Sequence, residues 1–121
     1  MITPRYILLF VEDPALSARF YEFLLDLAPL EQSPTFALFV LEDGYKLGLW
    51  SRHSAKPAVS VTGGGMELAF AVDSGEEVDA LYRKWSSLGL SFVQTPTELD
   101  FGRTFVALDP DDHRLRVFFP R

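Results

Sequence analysis

His53 and His113 are the only imidazoles in the chain, and there is no cysteine. A metal site using both histidines would need a third His or a carboxylate at ligand spacing, and the sequence offers neither. Thiolate catalysis, disulfides and Cys-ligated metals are excluded. Ser51, Ser54 and Ser60 lie near His53, but no G-x-S-x-G elbow accompanies them, so a hydrolase triad has no support. Gly63-Gly64-Gly65 leads into a strand pattern and lacks a following Lys-Ser/Thr, which makes it a linker and not a phosphate loop. Asp100, Asp109, Asp111 and Asp112 lack Ca²⁺-loop spacing and read as turn and surface charge, with His113 expected to face solvent just after them. What remains is aromatic and ionic chemistry on strands. Trp50 either closes a core or offers a flat surface to a planar ligand. Trp85 falls in a helical stripe and reads as core.

The elements that must position these residues come in two similar sets. Phe101–Pro120 reads as strand, tight turn, strand: Phe105–Leu108 is apolar, Asp109-Pro110-Asp111-Asp112 supplies turn chemistry, and Arg114–Phe119 begins by alternating Arg, Leu, Arg, Val. Thr35–Ser51 repeats the unit, with Glu42-Asp43-Gly44 at its turn. Upstream, Arg5–Val11 is a nearly all-apolar strand, and Asp13-Pro14 caps a helix whose apolar stripe is expected at Leu16, Phe20, Phe23, Leu24 and Leu27, ending at Pro29. Leu30–Gln32 completes a β-α-β-β-β order. In the second half Met66–Val72 is a strand, and Ser74 with Glu77 has capping-box spacing. Val78, Leu81, Trp85 and Leu88 form the helical stripe, and Gly89 stops it. Leu90–Gln94, Arg103–Leu108 and Arg114–Phe119 follow. Aligning Val11 with Val72 also aligns the two caps, Asp13 and Ser74, which supports an internal repeat. The expected organisation is one domain over 1–121: module one 1–53, a polar Pro/Gly-bearing linker 54–65, and module two 66–121.

Composition narrows the function classes. At 48% hydrophobic and 14% aromatic the chain can build a core, so disorder is excluded. A net charge of −6 without any Lys/Arg cluster argues against nucleic-acid binding. No apolar run reaches the roughly 18 residues a membrane span needs. The N-terminus lacks a basic region and runs directly into a strand pattern, so no signal peptide is expected; with zero Cys, this fits a cytoplasmic protein.

A doubled β-α-β-β-β chain of this size resembles the vicinal oxygen chelate superfamily of glyoxalases, extradiol dioxygenases and bleomycin-resistance proteins. The likeness rests on Val11-Glu12-Asp13, Phe20-Tyr21, Glu67–Val72 and Asp109–His113. It implies an α+β fold in which two tandem βαβββ modules form a cup-shaped mixed sheet, the glyoxalase/bleomycin-resistance fold. In the family's enzymes, metal ligands project from the first and last strands of each module. Carried over by position, those places here resemble Tyr6, Gly48, Glu67 and Arg116. Only Glu67 is of the usual ligand type, and a guanidinium beside a divalent cation is strongly repulsive. No metal and no other cofactor is therefore expected. Arg116 and Glu67 either pair with each other or present their charges to a ligand, while Gly48 removes bulk beside Trp50. More narrowly, Ser33–His53 and Phe101–Pro120 look like the drug-binding branch that includes bleomycin- and phenazine-resistance proteins. That branch implies a homodimer that sequesters a planar aromatic compound, with Trp50, Arg116, Glu67, Tyr6, Gly48, Phe118 and Phe36 or Phe39 at the ligand. Phe36 and Phe39 have opposite strand parity, so only one of them can line the site unless a bulge intervenes. No catalytic residue is assigned. The alternative is a metal-dependent glyoxalase- or dioxygenase-type enzyme of the same superfamily.

Overall fold

Two side-chain caps start the two α-helices of the protein. In a computed structural model describing residues 1–121, Asp13 Oδ1 accepts hydrogen bonds from the backbone N–H groups of Ala15 (3.0 Å) and Leu16 (3.4 Å). Ser74 Oγ accepts from the N–H of Glu77 (3.1 Å). Each satisfies donors that a helix start leaves open. Helix α1 spans Pro14–Leu25, and helix α2 spans Gly75–Ser87. Neither is long and apolar enough to cross a membrane. α1 stops earlier than Pro29 alone implies, because Asp26 adopts a left-handed conformation (φ 52°) and caps it.

The chain divides into two compact units, Met1–Gly63 and Gly64–Arg121. The first contains β1 (Tyr6–Val11), α1, β2 (Glu31–Gln32), β3 (Phe36–Val40) and β4 (Lys46–Ser51). The second contains β5 (Glu67–Ala71), α2, β6 (Ser91–Leu99), β7 (Gly102–Leu108) and β8 (Arg114–Pro120). Each forms a four-stranded mixed sheet, in the orders β1-β4-β3-β2 and β5-β8-β7-β6, with the outer strand β1 or β5 parallel to its neighbour and the other pairings antiparallel. The topology is the same in both units, which bears out the repeat and the α+β fold. Residues 52–66 carry neither helix nor strand.

Strand alternation gives each sheet one face for its helix. In the first unit Leu9, Val11, Ala37, Phe39, Leu47 and Leu49 are buried on the side of α1. In the second, Phe70 and Phe105 pack edge-to-face on Trp85, at 6.0 and 5.3 Å between ring centroids. Of the stripe expected on α2, Val78 and Trp85 are buried there and Leu81 is partly buried, whereas Leu88 caps the helix end and is exposed. The stripe expected on α1 is rotated. Its buried residues are Pro14, Ser17, Ala18 and Tyr21, whereas Leu16 is exposed and Phe23 is 72% exposed. Small Ser17 and Ala18 let the helix axis approach the sheet closely, and Tyr21 fills the rest, so hydrophobicity alone misplaced the contact face.

Two further departures have local causes. β6 extends to Leu99, well past Gln94, because its register slips between Gln94 and Thr97. The slip accommodates Pro96, which cannot donate to a ladder, on an edge strand. His113 and Asp109 do not face solvent: both are nearly fully buried. Asp109 Oδ1 accepts from the N–H groups of Asp111 and His113 (2.9 Å each), and Oδ2 pairs with His113 Nδ1 at 2.7 Å. The turn carboxylate is thus spent on closing its own hairpin.

Candidate ligand-binding site

The face of each sheet turned away from its helix carries the residues singled out by the sequence, with the exception of Phe39. In the first unit the register aligns Trp50 with Phe10 and Phe36, Gly48 with Leu8 and Leu38, and Lys46 with Tyr6. All of these side chains share one face. Gly48 is the gap among them. A Cβ at that position would lie 2.7 Å from both Leu8 Cδ2 and Phe36 Cζ, so the missing side chain is what lets those two lean together. Tyr6, Leu8, Phe36 and Trp50 line an open hollow of about 470 Å³, within the range of about 300–1,000 Å³ common for small-molecule sites. Tyr6 is 54% exposed and Leu8 is exposed as well, a cluster of large apolar side chains left in contact with water. Phe10 flanks the indole of Trp50 (6.1 Å, tilted 37°), and Lys46 Nζ sits 5.4 Å from the Tyr6 ring centre. Between the two phenylalanines of β3 the structure is decisive: Phe36 lines the hollow, while Phe39 is fully buried on the opposite face and is withdrawn from the expected ligand residues.

The corresponding face of the second unit is ionic. Glu67 aligns with Arg114, Ala69 with Arg116, and Thr104 with Phe118. Arg116 donates to Glu67 in a fork, Nε to Oε1 at 2.7 Å and Nη2 to Oε2 at 3.1 Å. Its Nη1 donates to Thr104 Oγ1 (3.1 Å) and Gln94 Oε1 (3.3 Å), and the Thr104 hydroxyl donates onward to the Val117 carbonyl (2.8 Å). Arg114 Nη2 reaches the same Glu67 Oε2 at 2.8 Å. Hydrogen bonding from Arg116 is the largest cause holding the Glu67 carboxyl below its usual value of about 4.5; the charges of Arg116 and Arg114 add to it, and partial burial opposes it. The Phe101 ring lies 5.8 Å from the Arg116 guanidinium and meets Phe118 edge-on at 6.0 Å. Of the expected residues, Glu67 and Arg116 therefore meet directly, and Phe118 shares their face.

Counting along the repeated strands, the same scaffold places carry different chemistry in the two units. Tyr6 corresponds to Glu67, Lys46 to Arg114, Gly48 to Arg116, Phe36 to Thr104 and Trp50 to Phe118. At Tyr6, Gly48, Glu67 and Arg116, the places where the resemblance would put metal ligands, the residues present do not suit a divalent cation. Gly48 has no donor and its space is taken by Leu8 and Phe36, both Glu67 oxygens are engaged by guanidinium groups, and no three His, Cys, Asp or Glu side chains converge anywhere. His53 Nε2 pairs with Glu12, which also lies 3.7 Å from Arg52; this cluster is largely exposed and outside the hollow. Leu8, Arg114, Gln94, Thr104 and Phe101 belong to these two faces and were not singled out from sequence. For Leu8 and Arg114 the signal was present, since each sits two residues from a chosen position on the same strand.

Residues 3–117 match the model of the Glyoxalase/Bleomycin resistance protein/Dioxygenase superfamily. Among curated proteins, the Phenazine antibiotic resistance protein EhpR of Enterobacter agglomerans is 29% identical over 119 residues, covering 96% of this chain and 91% of that protein. Among solved structures, the solution NMR structure of ATC0852 from Agrobacterium tumefaciens is 50% identical with a TM-score of 0.92, covering 100% of this chain and 99% of that one. The crystal structure of a glyoxalase-related enzyme from Fulvimarina pelagi is 25% identical with a TM-score of 0.84, covering 98% and 88%.

Proposed function

This chain belongs to the Glyoxalase/Bleomycin resistance protein/Dioxygenase superfamily, and within it we propose a binding role: metal-independent capture and sequestration of a planar aromatic small molecule, such as a phenazine- or bleomycin-like antibiotic, which confers resistance. The observation that carries this reading is the apolar hollow of Tyr6, Leu8, Phe36 and Trp50, open to solvent above a glycine. A flat apolar ring laid on Trp50 buries surface on both partners, and sequestration asks for nothing more than affinity in a largely preformed site. The kinship with a protein named for phenazine resistance points to the same ligand class. The donor set at the metal-ligand places favours holding a compound over activating one. A homodimer is part of this reading, by resemblance to the drug-binding branch; sedimentation of the protein should give twice the mass of one chain.

Titration with unsubstituted phenazine, followed by quenching of tryptophan fluorescence, tests the reading. Saturable 1:1 quenching and recovery of the compound unchanged are the expected results. Recovery of a chemically altered compound, or a stoichiometric divalent ion in protein purified without chelator, would replace sequestration by catalysis.

A further inference from the structure

The charged face of the second unit holds more cation than its own anion neutralises. Arg114 and Arg116 share one carboxylate, Glu67, so this cluster carries a net charge of +1 on a chain whose formal charge is −6. Both Nη2 atoms converge on one oxygen, Glu67 Oε2, at 2.8 and 3.1 Å. Each guanidinium nitrogen of that type has two protons, so the pair presents further donors side by side. The Arg114 side chain is 47% exposed, which leaves it accessible from water, while Arg116, 17% exposed, is oriented by its hydrogen bonds to Thr104 and Gln94. Beside them stands an apolar wall: Phe101, 45% exposed, with Phe118 edge-on behind it. At the corresponding places the first unit has Lys46 and Gly48 and no carboxylate, so the ionic set is particular to the second unit.

We propose that this face is an anion subsite for an aromatic carboxylate, in which Arg114 and Arg116 take the carboxylate and Phe101 takes the ring. Guanidinium groups match a carboxylate in shape and give charge-assisted hydrogen bonds, and an aromatic flank favours acids that carry a ring over simple ones. Since most of the protein repels anions, a local positive excess is what selects them. The proposal goes beyond the binding role of the hollow and does not depend on it.

The test uses the full chain and 1-naphthoate, with neutral 1-naphthamide and ring-free acetate as comparison probes, read by the Nε–H signals of Arg114 and Arg116 in NMR. Naphthoate is expected to shift both signals and to bind at least fivefold more tightly than either comparison probe, with the preference shrinking as salt is raised. Arg114→Gln should abolish the preference over naphthamide, Arg114→Lys should restore part of it, and Glu67→Gln should strengthen naphthoate binding by removing the competing carboxylate. Equal binding of naphthoate and naphthamide, or a preference that survives Arg114→Gln, would overturn the subsite. So would weaker binding by a folded Glu67→Gln protein, which would mark the cluster as purely structural. Acetate binding as tightly as naphthoate would remove Phe101 from it. The indole N–H signal of Trp50 reads the hollow separately: arginine shifts without any response of Trp50 to phenazine would leave this subsite standing while the hollow's role fell.

Discussion

Trp50 owes its interest to its surroundings. Trp50 is partly exposed, lines the hollow on the strand that carries Gly48, and is flanked by the Phe10 ring. Trp50→Ala should weaken phenazine binding by roughly 1–3 kcal/mol, the scale of one good aromatic contact, and calorimetric titration measures it; unchanged affinity would take Trp50 out of the site. Glu67 makes a different kind of prediction. Its carboxyl is held below its usual value of about 4.5 mainly by the hydrogen bonds of Arg116, so the folded protein keeps it ionised to lower pH than the unfolded chain does. The pairing therefore stabilises the fold above that pH and is lost as pH falls below it. In Glu67→Gln the urea midpoint should fall less steeply than in the parent protein as pH drops below the usual carboxyl value of about 4.5. Parallel pH profiles for the two proteins would show that the pair contributes nothing to stability.

At the level of elements, alternation decides function residue by residue. Phe36 and Phe39 sit three apart on β3 and lie on opposite faces, one in the hollow and one in the core. Phe39→Ala should cost about 3–5 kcal/mol in chemical unfolding, as expected for a fully buried phenylalanine, with Phe36→Ala costing clearly less because that ring is only partly buried. The hairpin of β7 and β8, which carries Thr104, Arg116 and Phe118, depends on Gly102. Its φ of 143° suits glycine, and a Cβ there would run into the Phe119 carbonyl. Gly102→Ala should lower stability by more than about 1 kcal/mol and disturb the Arg116 Nε–H signal; a protein of unchanged stability would contradict the close approach. Period-two strands and capped helices were readable in the sequence because they are local. The buried side of α1 was not, since Leu16 and Phe23 are more hydrophobic than the Ser17 and Ala18 that pack, and only close approach to a sheet rewards small side chains.

Across the whole chain, the connection at residues 52–66 separates two units of identical topology. Lengthening it by four residues between Gly64 and Gly65 adds only about 0.2 kcal/mol of loop-closure cost. Such an insertion should shift stability by less than about 1 kcal/mol in urea unfolding, and a larger loss would mean that the connection itself is structural. Sequence alone determined the doubled β-α-β-β-β order, the caps at Asp13 and Ser74 and the family likeness, because caps, alternation and residue type act over a few positions. Tertiary structure alone decided which β3 phenylalanine meets the hollow, how far β6 runs past Pro96, and that Asp109 and His113 are buried against each other. It also decided that two arginines share a single carboxylate. Each of these depends on the register between strands or on the distance between packed elements, and no short stretch of chain encodes either.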